Sequence, residues 1–169
     1  MNIVLIGSRG SGKSAVGAAL AQLLGRTAVS TDAEIERRVG CTIKNYVEKH
    51  GWDAFRDLES DIVHDLATRD DCILDTGGGV VLRQTNVDAL RANARVFWLL
   101  APVATLAARI QDDTNRPSLT GAKSFVDELA EVLAARTPLY AAAAHHVIDT
   151  AKRNPEAIAA AIAELFQRP

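Results

Sequence analysis

The chain has no apolar run near the roughly 18–20 residues that a membrane span needs; stretches such as Val96 to Ala101 are far shorter. A membrane partner is therefore not expected. Cysteine is scarce, and Cys41 and Cys72 stand apart from each other with neither C-x-x-C nor Cys/His ligand spacing, which excludes a disulfide framework and gives no zinc pattern. Both are expected as small packing residues. An excess of charge of one sign is also missing: 19 Lys+Arg against 21 Asp+Glu leave a net −2, so no basic surface for nucleic acid is expected. No Pro/Gly/Ser-rich linker, charge block or repeat divides the sequence. Met1 to Gly7 lacks the basic leader and cleavage site of a signal peptide, so cytoplasmic residence is the expectation.

What is present is ordinary globular composition, 169 residues with 48% apolar and 24% charged. That excludes disorder, collagen and coiled coil and predicts one domain over 1–169, with a monomer as the default. Short β-branched apolar runs predict strands at about 2–6, 27–30, 72–75, 95–100 and 146–149. Helical pattern separates them. Val16, Leu20, Leu23 and Leu24 share one face over 13–24, as do Phe55, Leu58, Ile62, Val63 and Leu66 over 55–67, and Ile158, Ile162, Leu165 and Phe166 over 155–166. Alternating strand and helix predict an α/β fold with a mostly parallel sheet covered on both faces. The stretch 111–124 is polar, broken by Pro117 and Gly121, and reads as a lid loop.

Gly7-Ser8-Arg9-Gly10-Ser11-Gly12-Lys13-Ser14 matches G-x-x-x-x-G-K-[ST], the P-loop, and it lies between an apolar strand and an amphipathic helix, where the motif works. Residues 1–31 carry Arg9, Lys13 and Arg26 and no carboxylate, a segment suited to an anion. Backbone N–H groups around Gly10, Ser11 and Gly12 would cradle phosphate, Lys13 would reach the β- and γ-phosphates, and Ser14 would ligate Mg²⁺. Asp75 ends the run Cys72-Ile73-Leu74 as a magnesium-side carboxylate does at a strand tip, although a strand-end Asp also starts turns.

The P-loop leaves the acceptor open among small molecule, nucleotide and switch-type hydrolysis. No N-K-x-D guanine motif occurs, and an Arg-bearing lid, with Arg116 placed to swing onto phosphates, suits a kinase that closes over two substrates. Asp32 follows a strand at the carboxyl edge of the sheet, where it could orient an acceptor hydroxyl and take its proton. Thr31 to Glu34 also matches a capping box, with Thr31 as the cap. Arg56 and Arg136 are candidates to grip an anionic acceptor. Gly77-Gly78-Gly79 would let backbone approach a ligand closely. His50, His64, His145 and His146 have no metal-ligand spacing, and Trp52 and Trp98 read as packing residues.

In order, Gly7 to Ser14, Thr31-Asp32 with Ile35-Glu36, Phe55-Arg56 with Glu59, Gly77-Gly78-Gly79, Arg116-Pro117, Arg136 with Pro138-Leu139-Tyr140, and Asp149-Thr150 with Arg153-Asn154-Pro155 resemble the shikimate kinase family over essentially the whole chain. The resemblance implies a three-layer α/β/α P-loop NTPase fold with a five-stranded parallel sheet in 2-3-1-4-5 order, a substrate-binding region near 31–60 and a lid near 111–124. It implies ATP-dependent phosphorylation of the 3-hydroxyl of shikimate. Asp32 would be the base, Arg56 and Arg136 would hold the carboxylate beside Phe55, and the backbone at Gly77, Gly78 and Gly79 would help bind hydroxyls. Arg116 would approach the phosphates and Arg153 would flank adenine. The sequence departs from the family where Ser30 replaces a second, magnesium-side aspartate and Asp75 replaces a small residue. The carboxylate is accordingly expected to have moved from 30 to 75. Two other readings stay open: another small-metabolite kinase, such as a gluconate-type enzyme, and a weakly catalytic nucleotide-binding homologue.

Overall fold

The computed structural model describes residues 1–110 and 125–168. Its strands are β1 (Asn2–Ile6), β2 (Thr27–Ser30), β3 (Cys72–Asp75), β4 (Ala94–Leu100) and β5 (His146–Asp149). They form one sheet in the order β2-β3-β1-β4-β5 with every neighbouring pair parallel. The expected order is met, and only β4 differs in extent, starting one residue early. Helices α1 (Lys13–Leu24), α2 (Thr31–Val39), α3 (Ile43–Ala67), α4 (Gln84–Ala92), α5 (Val103–Ile110), α6 (Phe125–Ala143) and α7 (Pro155–Gln167) make the connections.

A parallel sheet needs right-handed crossovers, and the crossovers cover both of its faces. The central strand is consequently apolar without alternation, and all five residues of β1 are buried. Val4 and Ile6 point to one side, where they meet Leu74, Val96, Ile35, Ile62 and Leu66. Ile3 and Leu5 point to the other and pack with Phe97, Val16, Leu20, Ile158 and Ile162. Each such side chain contributes about 1.5–3 kcal/mol by leaving water. Cys72 is buried in the first of these clusters, whereas Cys41 is half-buried. Trp98 is buried and stacks on Tyr140 at 5.7 Å, as a packing residue should.

Two helix starts differ from expectation. Ser30, one residue before the expected cap, is the N-cap of α2, and its Oγ accepts from Ala33 N at 3.3 Å. Thr31 is freed for another partner. Helix α3 starts at Ile43 because Thr42 Oγ1 caps Asn45 N, and it is interrupted at Gly51, whose φ of 84° and ψ of 169° break the run. The apolar period read from 55 onward is only its second half.

His145 joins the sheet with its ring and its backbone: Nδ1 accepts from Val96 N at 2.9 Å, and the His145 backbone N–H donates to Val96 O. Burial, and then the nearby Arg91, hold its pKa below 6.5. An unfolded chain takes up that proton near 6.5 and the folded one only at lower pH, so this contribution is complete above about 6.5 and is lost as pH falls through the folded value. The melting temperature should therefore drop between pH 7.5 and 5.5 by more than it does in His145→Asn, as calorimetry would register.

Candidate active site

The turn after β1 is shaped by glycines that nothing else can replace. At Gly7 (φ +145°) a Cβ would lie 2.6 Å from Leu99 O, and at Gly10 (φ +79°) it would lie 2.6 Å from Ile110 Cγ2. Lys13 is buried, and its Nζ donates to Gly7 O at 3.0 Å and Ser8 O at 3.1 Å. Helix α1 follows Gly12 with no side-chain cap, so its first N–H groups and the positive end of its dipole are available to an anion. Ser11 is buried within the same turn.

At the tip of β3, Asp75 Oδ2 accepts from Ser14 Oγ at 2.6 Å. Ser30 is the register partner of Asp75 across β2 and β3, but its hydroxyl is engaged in capping α2. A hydroxyl and a carboxylate thus meet beside the loop, an all-oxygen donor set of the kind Mg²⁺ takes together with phosphate and water. Among the described residues no group of three or more His, Cys, Asp or Glu could hold a metal ion.

Asp32, in the first turn of α2, faces the same cleft as Lys13, Ser14, Asp75, Gly78 and Arg109. Its neighbour Thr31 accepts from Gly77 N through Oγ1 at 3.0 Å, which ties the start of α2 to the glycine loop. A Cβ on Gly77 would stand 2.9 Å from both Asp32 Oδ1 and Glu59 Oε1. Two carboxylates therefore converge above one glycine. Glu59 is buried; its Oε2 accepts from Arg56 Nη1 at 2.6 Å, and its Oε1 has no hydrogen-bond partner. A buried acceptor left in that state costs about 1–3 kcal/mol, which a donor on a bound ligand would recover.

Arg56 is fixed on three sides. Its guanidinium carbon lies 5.1 Å from the centroid of Phe55 and 5.4 Å from that of Trp52, and any Cβ on Gly79 would collide with both its terminal nitrogens. Arg136 lies one turn before Tyr140 on α6, and the Tyr140 hydroxyl donates to Gly78 O at 2.5 Å. Burial pushes the Tyr140 phenol above its usual value and so keeps it protonated. The structure therefore gathers Lys13, Ser14, Asp32, Phe55, Arg56, Asp75, Gly77 to Gly79 and Arg136 around one pair of strand tips.

Arg116 lies in 111–124, outside the described residues. Arg153 is exposed just before α7, and its Nη2 donates to Ala157 O at 3.0 Å. Arg109 is a cleft residue that the sequence reading misses. Its Nη1 donates to Gly10 O at 3.1 Å and Thr150 Oγ1 at 3.2 Å, and its Nη2 donates to Thr150 O at 2.9 Å, joining the P-loop to the turn after β5. The available signal is a single cation in the last turn of an otherwise apolar α5.

A phosphate-cradling loop, a carboxylate over an adjoining glycine turn and two guanidinium groups beyond it define the class: a P-loop kinase for a small anionic acceptor. A family model described as shikimate kinase matches residues 9–167. A shikimate kinase from Nitratidesulfovibrio vulgaris is 49% identical over 149 residues, covering 86% of this chain and 85% of that protein. The structure of a shikimate kinase from Acinetobacter baumannii in complex with shikimate superposes with a TM-score of 0.93 at 37% identity, covering 97% of this chain and 91% of that one. A gluconokinase from Sinorhizobium meliloti, at 19% identity and a TM-score of 0.53, shares the fold alone. The chain belongs to the shikimate kinase family and is an ATP-using kinase.

Proposed function

We propose that the chain transfers the γ-phosphoryl group of ATP to the 3-hydroxyl of shikimate, giving shikimate 3-phosphate and ADP. The observation that carries this reading is the convergence of Asp32, Glu59 and Arg56 on Gly77 to Gly79, one strand tip away from the P-loop. A polyhydroxylated monocarboxylate suits that cluster. Arg136 and the Glu59-anchored Arg56 hold its carboxylate, and hydroxyl donors meet Asp32, Glu59 Oε1 and the glycine backbone. Phe55 closes the side of the pocket beside Arg56. The shikimate bound to the Acinetobacter relative supports the same choice.

Asp32 orients the acceptor hydroxyl and takes its proton as the oxygen–phosphorus bond forms and the bond to the β-phosphate oxygen breaks. Lys13 and the N–H groups of Gly10 to Ser14 stabilise the charge that gathers on the phosphate oxygens, and Arg116 from the 111–124 lid adds to them. Arg153 flanks the adenine. Ser14 and Asp75 would hold Mg²⁺, which when bound with ATP would offset the charge on the phosphates. The protein works as a cytoplasmic monomer on this reading, with 31–60 as its substrate-binding region.

The test is ADP release from Mg-ATP with shikimate, with gluconate or quinate, and with no acceptor. Release that depends on shikimate supports the proposal, whereas gluconate dependence would shift it to the other small-metabolite kinase. ATP binding without any acceptor-stimulated release would point to a weakly catalytic homologue. For the metal, Asp75→Ala should raise the Mg²⁺ concentration needed for half-maximal ATP binding by about tenfold, a change of about 1.4 kcal/mol, with ATP affinity in the absence of Mg²⁺ unchanged. Titration calorimetry at fixed ATP reads this directly, and Ser30→Asp in the same background should restore part of it, since residues 30 and 75 are register partners.

A further inference from the structure

We propose that Thr31 is a positioning residue for the phosphoryl-transfer step: its hydroxyl accepts the Gly77 N–H and so keeps the neighbouring Asp32 carboxylate aimed at the acceptor. The inference rests on the role given to Asp32 under the shikimate reading and adds a residue to it.

Strand β2 ends at Ser30 opposite Asp75, the last residue of β3, and beyond that pair the two segments part, one into α2 and the other into the glycine loop. The N–H of Gly77, a buried residue, still needs an acceptor, because a buried amide without one is costly. Thr31, wholly buried, supplies it through Oγ1 at 3.0 Å, so a side chain continues the contact where the strand pairing stops. One residue earlier Thr76 is fixed to the central strand, its N–H and its Oγ1 both donating to Leu5 O, at 3.2 and 2.9 Å. The glycine loop is thereby pinned to β1 on one side and to α2 on the other.

Stronger acceptors stand close by. Asp32 Oδ1 and Glu59 Oε1 each lie 2.9 Å from where a Gly77 Cβ would be, and a carboxylate makes a shorter and stronger bond to an N–H than a hydroxyl does. By giving Gly77 a neutral acceptor, Thr31 keeps that N–H off both carboxylates. Gly78, the next residue, packs on the P-loop, where its Cβ would be 3.5 Å from Gly7 O and from Arg9 N. One hydrogen bond therefore sets the start of α2, which carries Asp32, against the acceptor pocket and the phosphate loop together. In-line transfer needs that alignment, and a misplacement of about 1 Å is enough to slow it.

Thr31→Val keeps the shape of the buried side chain and removes the acceptor, which leaves the Gly77 N–H to the carboxylates and draws Asp32 from the acceptor hydroxyl. The expected result is a fall in kcat with shikimate of about tenfold, equivalent to about 1.4 kcal/mol, with kcat counted per ATP-binding site so that unfolded protein drops out. Thr31→Ser, which keeps the hydroxyl, should stay within about twofold of the parent. Because Thr31 acts through Asp32, Thr31→Val should cost nothing further in the Asp32→Asn background, as single-turnover ADP release would read, whereas a purely structural role would cost the same in both backgrounds. An unchanged kcat in Thr31→Val, a Thr31→Ser as slow as Thr31→Val, losses that multiply in the double variant, or loss of folding in Thr31→Val would each overturn the proposal. A parent enzyme that releases ADP with another acceptor instead would refute the shikimate reading alone, and the same cycle run on that acceptor would still judge Thr31; Asp32→Asn at the parental kcat would remove the base and this proposal with it.

Discussion

Asp32→Asn will lower kcat with shikimate by about 10²–10⁴-fold, the range spanned by loss of a positioned general base. ATP binding should be nearly unchanged, because Asp32 sits on the first turn of α2 and the cradle belongs to residues 7–14. The amide has the same shape as the carboxylate, so the defect is in proton removal and not in packing. The melting temperature should not fall either. Asp32 Oδ1 and the partnerless Glu59 Oε1 crowd the same point above Gly77, and an amide can turn an N–H toward Glu59 where a carboxylate only repels it. Steady-state ADP release combined with a thermal melt checks both halves. Activity within an order of magnitude of the parent would remove Asp32 from the proton-transfer role.

Lys13→Ala should be comparably severe, about 10²–10³-fold in kcat, since it deletes a preorganised cation aimed at charge that grows during transfer. It differs in its second consequence. The ammonium holds Gly7 O and Ser8 O from inside the loop, so the variant leaves those carbonyls without that donor and loosens the turn that shapes the N–H cradle. ATP affinity should therefore fall together with kcat, unlike in Asp32→Asn. Single-turnover ADP release alongside equilibrium ATP binding separates the two patterns.

Much of this was legible in the sequence where physics is local. Ile3–Ile6 and Cys72–Leu74 announce buried parallel strands by being apolar without alternation, and Gly7 to Ser14 announces the cradle by spacing. Contacts that depend on tertiary placement were not legible. Ser30 and Thr31 are both acceptable caps, and only the approach of Gly77 N, 46 residues away, draws Thr31 off to bind the glycine loop and leaves Ser30 the cap. Helix α3 hides its first half because Gly51 resets the helical phase before the apolar face of 55–67 begins. Arg109 reads as an ordinary helix-end cation until folding brings Gly10 and Thr150 beside it. That residues 30 and 75 are register partners, and that Asp75 meets Ser14, is likewise visible only after folding.

The strand order also has a consequence in time. On a ribosome β1 is made before its partners β3 and β4, whose paired residues lie some 70 to 90 positions later, and non-local pairing of this kind slows folding. Until they arrive, the apolar run Ile3 to Ile6 has no sheet to enter and is exposed to chaperones and to aggregation. The nucleotide cradle hangs from that segment and borrows Leu99 and Ile110 as its walls. During biosynthesis, acquisition of ATP affinity would thus mark the moment at which the middle of the sheet closes.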